Sequence, residues 1–201
     1  MRVDRVAAFL GLKAGTVGLL AMVVLVGLGE RMAERFLPIY ILAVGGGAMA
    51  IGLLGAMQNL LSALYSYPGG WLAHRLGAKR ALVVVNLVAA AGYLLVIVVP
   101  RWEAVLAGAV LFVAWGAVSL PASMGLIANL LPKDKRTMGV TMHSLVRRIP
   151  MALGPLLGGA IIAVAGEEAG VRLAFVAALV LALAGVAIQW RLIPDDRPLG
   201  A

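Results

Sequence analysis

The chain has 201 residues, of which 63% are apolar and 13% charged, with a mean hydropathy of +1.02 and a net charge of +8. Soluble domains are about half apolar and about a quarter charged, so this composition excludes an ordinary soluble fold and points to the lipid bilayer as a partner. The absence of cysteine excludes disulfides, thiolate nucleophiles and Cys-ligated zinc within the chain, and basic residues dispersed between apolar runs argue against nucleic acid.

A membrane-crossing helix needs about 20 mainly apolar residues. Six segments meet or approach that length. The first covers residues 14–44 but is interrupted by charges from position 30 to 35. Its stretch before Glu30 is only 16 residues, about 24 Å of helix, which is short for a span. One long helix kinked at Pro38 accounts better for both apolar pieces. The second span is expected over about 48–73, the third over 81–99 with Pro100 as its stop, and the fourth over about 104–131. The fifth has an indistinct start and ends near Ala165, and the sixth covers about 171–193. Short connections are expected at 45–47, 74–80, 100–103, 132–136 and 166–170. The chain thus reads as an all-α membrane protein, a single six-helix bundle over 1–201 with 194–201 as a loop or tail.

Lys and Arg set the orientation. With the N-terminus inside, the inner segments carry Arg2, Arg5, Lys13, Arg75, Lys79, Arg80, Lys133, Lys135, Arg136, Arg191 and Arg197, against Arg101 and Arg172 outside. Eleven against two predicts both termini in the cytoplasm of a bacterial or archaeal cell-membrane protein. The basic start, the apolar run and the small residues Gly27 and Gly29 also fit a signal peptide, but the alternation of basic loops favours an uncleaved first helix. A weak repeat is visible as well. Leu37-Pro38 precedes Pro68-Gly69-Gly70, and Leu120-Pro121 precedes Pro155 and Gly158-Gly159 at a similar spacing. It divides the chain into three-helix units of about 14–100 and 104–193. Units with an odd number of spans must face opposite ways, which makes the repeat an inverted one.

Three motifs carry chemistry. The first is Gly70-Trp71-Leu72-Ala73-His74-Arg75-Leu76-Gly77-Ala78-Lys79-Arg80, between the second and third spans. Gly70 suits a close helix approach, Gly77 a tight turn, and the basic residues an anchor at the cytoplasmic face. The segment resembles the cytoplasmic loop signature G-x-L-x-D-R-x-G-R-K/R of the major facilitator superfamily. Gly70, Leu72, Arg75, Gly77 and Lys79 match position for position, and Arg80 is basic as expected. His74 stands where that family has Asp, and Ala78 where it has its first basic residue, so the acidic latch of the family's loop lacks its carboxylate here. The resemblance implies half of a secondary active transporter working by alternating access, six spans being the N-terminal half of the family's twelve.

The second motif is Gly154-Pro155-Leu156-Leu157-Gly158-Gly159 in the fifth span. It resembles the family's antiporter motif core G-P-x-x-G-G, though Pro150 replaces the glycine four residues earlier. A kinked, close-packed helix is the alternative reading. His143, Arg147 and Arg148 lie before its core, either as interfacial anchors or at a cytoplasmic gate, and the family's fourth-helix arginine is absent.

The third is Glu30-Arg31-Met32-Ala33-Glu34-Arg35-Phe36-Leu37-Pro38. Charges at membrane depth are costly and usually functional. Helical spacing puts Glu30, Arg31, Glu34 and Arg35 on one wall, so they are expected to line a cavity for substrate and coupling ion. Charges at the outer interface are the alternative. The Glu34-Arg35-Phe36 triplet resembles the E-R-F of proton-coupled peptide transporters, but that motif's other glutamate falls at Arg31, so no peptide specificity is inferred. Gln58, Ser62 and Tyr65 share a face of the second span with Asn59 nearby, and Asn86 and Tyr93 align in the third; both sets read as cavity lining or as glue between helices. The four tryptophans are expected mostly near the membrane interfaces.

A six-helix channel or an intramembrane enzyme is the alternative function. No Gly-x-Ser-Gly of a rhomboid-type protease is present, nor the repeats of mitochondrial-type carriers or aquaporins. With two histidines far apart, no metal and no cofactor are expected. The expected partners are lipid, a small-molecule substrate, protons, and a second half supplied by a longer reading frame or by a second copy.

Overall fold

The computed structural model describes residues 14–194. Arg2, Arg5, Lys13 and Arg197, and with them the signal-peptide reading of the N-terminal start and the 195–201 tail, lie outside the described residues. The described chain is helical throughout: α1 (Ala14–Glu34), α2 (Leu37–Ala43), α3 (Ala48–Leu76), α4 (Ala78–Val98), α5 (Trp102–Leu130), a 3₁₀ turn (Lys133–Lys135), α6 (Arg136–Val146), α7 (Arg148–Ala165) and α8 (Glu167–Leu192). They make six helical segments long and apolar enough to cross a membrane. Span 1 is α1 with α2, spans 2 to 4 are α3 to α5, span 5 is α6 with α7, and span 6 is α8.

The expected kink of the first helix is a break. α1 stops at Glu34, and α2 begins at Leu37 with Pro38 in its first turn. Pro38 has no N–H to give the Glu34 carbonyl, and its ring disfavours a continuous helix through the preceding turn. Phe36 N–H instead closes on the Ala33 carbonyl at 3.2 Å, and Tyr40 N–H starts the next helix on the Phe36 carbonyl at 3.0 Å. The connections are shorter than the sequence suggests. Gly77 alone, at φ +84°, turns α3 into α4, so His74–Leu76 and Ala78–Arg80 are helical. Gly166, also at φ +84°, does the same before α8, because glycine bears positive φ without a Cβ clash. Glu167 and Glu168 then form the first turn of α8, where carboxylates meet the positive end of the helix dipole.

Packing follows small residues. α4 packs on α5, α1 on α8, α3 on α5, α1 on α7, α4 on α8, α7 on α8 and α3 on α4. Gly92 and Gly108 bring α4 and α5 together until each glycine faces the other's carbonyl, and Gly29 sits against the Ala178 backbone between α1 and α8. Tyr93, Phe112 and Phe175 fill the centre with ring centroids 5.6–6.1 Å apart. Two of the expected polar residues are glue, and a third, Tyr93, packs by its ring with its hydroxyl unbonded. Asn86 Nδ2 donates to the Ala182 carbonyl at 3.1 Å, Tyr65 Oη donates to the Val110 carbonyl at 2.8 Å, and Tyr93 is buried in the aromatic cluster. Trp115 is buried in the bundle, which corrects the interfacial expectation for it.

Candidate functional site

The α1 break decides where the charges go. Glu30, Arg31 and Glu34 occupy the last turns of α1, half-buried, and Arg35 follows in the turn, exposed. α3 faces them with Gln58, Asn59 and Ser62. Gln58 Nε2 donates to Glu34 Oε1 at 3.2 Å, and Arg31 Nη1 lies 3.8 Å from Glu34 Oε2. Glu34 thus holds one hydrogen bond and one loose ion pair, which fixes its carboxylate without enclosing it. The Asn59 amide turns back to the Gly55 carbonyl at 3.0 Å.

Two cavities that share Arg31, Glu34 and Gln58 in their walls form a recess here. The larger, about 560 Å³, is lined by Arg31, Glu34, Arg35, Pro38, Leu54, Gln58, Met151 and Pro155. The smaller, about 230 Å³, is lined by Glu30, Arg31, Glu34, Gln58, Asn59, Ser62, Val113, Gly116 and Arg147. Each of the seven residues expected at a substrate or ion site therefore borders one or both of these cavities. Two carboxylates and three guanidiniums give the recess both signs of charge, intermixed along its walls, so it offers groups for a proton or cation and groups for an anion.

The fifth-helix motif explains how the wall is held. Gly154 meets the Arg31 and Met32 backbone, and Gly158 meets Met32 and the Phe36 ring, so α7 lies hard against the end of α1. Gly159 touches only the Phe36 ring tip, at 3.6 Å from where a Cβ would stand. Pro155 lines the larger cavity and leaves the Met151 carbonyl without its helical donor. Arg147, at the break between α6 and α7, reaches the smaller cavity; Arg148 is exposed and borders neither.

The loop motif sits apart from the recess. Arg75 lies 4.7 Å over the Trp71 ring, Lys79 Nζ lies 5.6 Å from the Trp190 centroid, and Gln189 Nε2 donates to the Lys79 carbonyl at 2.9 Å. Leu72 packs against the core, while His74 and Arg80 are exposed. Gly70 has nothing within 4 Å, and the close approach expected of it falls on its neighbour Gly69, against Val118. On α3, about 100° per residue separates the two, which turns Gly69 to span 4 and Gly70 outward.

Several lining residues escaped the sequence reading. Leu54, Val113, Gly116, Met151, Ser119 and Ser123 lie in apolar stretches where nothing marks one face as wet, whereas Trp115 and His143, expected at an interface or a gate, line the small inner cavity. Only the i, i+4 spacing of Ser119 and Ser123 carried a signal.

A family profile described as Major Facilitator Superfamily matches residues 14–201. Two bacterial proteins that carry the multidrug-resistance name MdtD, from Pectobacterium carotovorum and Pectobacterium atrosepticum, are each 28% identical over 157 residues. Each alignment covers 74% of this chain and 33% of the relative, so the chain spans about a third of the length of the curated relatives it matches. With six apolar helices, a loop signature matched at fixed spacing and a profile match across the described bundle, the chain belongs to the major facilitator superfamily.

Proposed function

We propose that the chain is one six-helix bundle of a secondary active transporter that moves a small solute across the membrane by alternating access, coupled to protons. The recess of about 560 Å³ with charged walls between helices long enough to span a membrane supports this reading. Arg35, Asn59 and Ser62 are exposed on that face, and such groups do not face lipid. A second bundle therefore closes the recess, from the same reading frame or from a second copy of the chain. Spans 2 and 5 flank it and are the least buried of the six, as helices awaiting a partner should be. Glu34 serves as the proton or cation site and Arg35 as the contact for an anionic group. The relatives' multidrug-resistance name makes drug-like compounds the first substrates to assay.

The packing also supports two inverted three-helix repeats, residues 14–100 and 104–193. Exchanging span 1 with 4, 2 with 5 and 3 with 6 turns the 1–6 contact into 4–3, the 2–4 contact into 5–1 and the 2–3 contact into 5–6, all of which are packed pairs. The test of function is flux in proteoliposomes holding protein purified from its own host, so that any second half is present. A pH gradient should drive solute movement; no gradient-driven flux of any drug-like compound would sink the reading.

Orientation has its own test. The chain has no cysteine, so single introduced cysteines are clean probes. Gly47→Cys and Ala169→Cys, both at exposed positions, should react with an impermeant maleimide added to intact cells, and Arg80→Cys should not. External labelling at position 80 would reverse the topology, in which both termini are cytoplasmic.

A further inference from the structure

We propose that Ser123 and His143 form the inner end of a water-carried proton path that starts at Glu30 and runs inside this bundle, beside the substrate recess. Its purpose rests on the transporter reading, but its geometry does not. Three helical stripes converge between spans 1, 4 and 5: Gly27 and Glu30 on α1, Ser119 and Ser123 on α5, and His143 with Arg147 across the α6–α7 break. They enclose a cavity of about 20 Å³. A water needs roughly 10–15 Å³ of such space, so the cavity admits one or two.

Two of its polar groups are buried without partners. Ser123 is fully buried and its Oγ bonds to nothing; His143 is 2% exposed and its Nδ1 bonds to nothing. An unmade hydrogen bond at a buried donor or acceptor is expensive. Both groups lining one water-sized hole point to an occupant that donates and accepts, which is water itself. Glu30 borders both this cavity and the 230 Å³ arm of the recess. Its Oε1 stands 3.2 Å from where a Cβ on Gly116 would be. Gly116, Ser119 and Ser123 lie on one face of α5, so the carboxylate meets the upper end of the serine stripe. From Gly116 to Ser123 is about 10 Å of helix, a length that a carboxylate, waters and two hydroxyls bridge.

The charged groups around the ring are Glu30 and Arg31 on α1 and Arg147 one turn along from His143; α5 contributes none to this cavity. The step balances as one proton in and one out. The Glu30 carboxyl gives its proton to the water, the water passes one on through the Ser123 hydroxyl to Nδ1, and Nε2 releases its proton toward the cytoplasmic side. His143 lies two helical turns from the exposed start of α6 at Arg136. A proton resting on the ring faces the Arg147 cation, which suits a relay better than a store.

Residues 1–201 hold two histidines, so in a His74→Gln background the ¹⁵N resonances that disappear on His143→Asn are those of His143. In ¹⁵N-histidine-labelled protein in lipid, the His143 nitrogens should show a cross-peak to water, and Glu30→Gln should shift their resonances. A dry ring indifferent to Glu30→Gln overturns the path, whether or not the preparation transports. In proteoliposomes the readout is gradient-driven flux divided by substrate exchange. His143→Asn and the isosteric Ser123→Ala should each lower that ratio by roughly tenfold or more, the scale of a positioned proton-transfer group. Equal losses in both fluxes mean a structural role and overturn the path; a host-purified parent with no gradient-driven flux instead removes the transporter reading and leaves the spectra to decide.

Discussion

Glu34→Gln should nearly abolish pH-gradient-driven transport, by about a hundredfold, which is within the range that one positioned acid or base contributes. The variant keeps an acceptor oxygen for Gln58, whose Nε2 sits 3.2 Å away, so the α1–α3 contact survives. What it loses is the titrating carboxylate and the pairing with Arg31 at 3.8 Å. Substrate exchange needs no net proton movement and should fall far less. Arg35→Lys should instead weaken substrate binding, because an ammonium cannot reproduce the planar two-pronged contact of a guanidinium with a carboxylate or phosphate. Charges that merely anchored the outer interface would tolerate both changes, since anchoring requires polarity and not a titrating group. Flux and exchange measured side by side in proteoliposomes separate the two cases. If both variants drive uptake like the parent, the assignment of this wall to coupling is wrong.

The largest effect on folding is expected at Gly158. A Cβ there would meet the Met32 carbonyl and come within 2.7 Å of the Phe36 ring, and the end of α1 cannot retreat without opening the α1–α8 contact at Gly29. Gly158→Leu should destabilise the bundle by about 3 kcal/mol or more, at or beyond the upper end of ordinary overpacking, because backbone blocks the new side chain. Gly154→Val, against the Arg31 Cβ, should act in the same direction. Gly125 has nothing within 4 Å, and Gly125→Ala should be neutral or stabilising by up to about 1 kcal/mol through the lost backbone freedom of glycine. Thermal unfolding in detergent, followed by size-exclusion of the surviving monodisperse fraction, orders the three. A Gly158→Leu protein as stable as the parent would mean that α7 does not press on α1 as described.

The sequence by itself determined the class, the number of spans and the presence of a charged wall. Those properties depend on local composition: long apolar runs have one stable answer in a bilayer, and charges within them are conspicuous by their cost. It also carried the family, because Gly70, Leu72, Arg75, Gly77 and Lys79 keep their spacing whatever the fold around them. Only the tertiary structure decided what each polar group does. Gln58 and Tyr65 share one face of α3, yet one turns to Glu34 across the recess and the other bonds the Val110 carbonyl of α5. Arg147 and Arg148 are neighbours in sequence, and the helix break between α6 and α7 sends one to the cavity and leaves the other exposed. Ser123 sits unmarked in an apolar span and His143 reads as an anchor or gate residue, yet three helices bring both to the same small hole. In a bilayer every helix presents one apolar exterior, so pattern cannot say which side faces lipid and which faces another helix; that choice is made by where small residues let backbones meet.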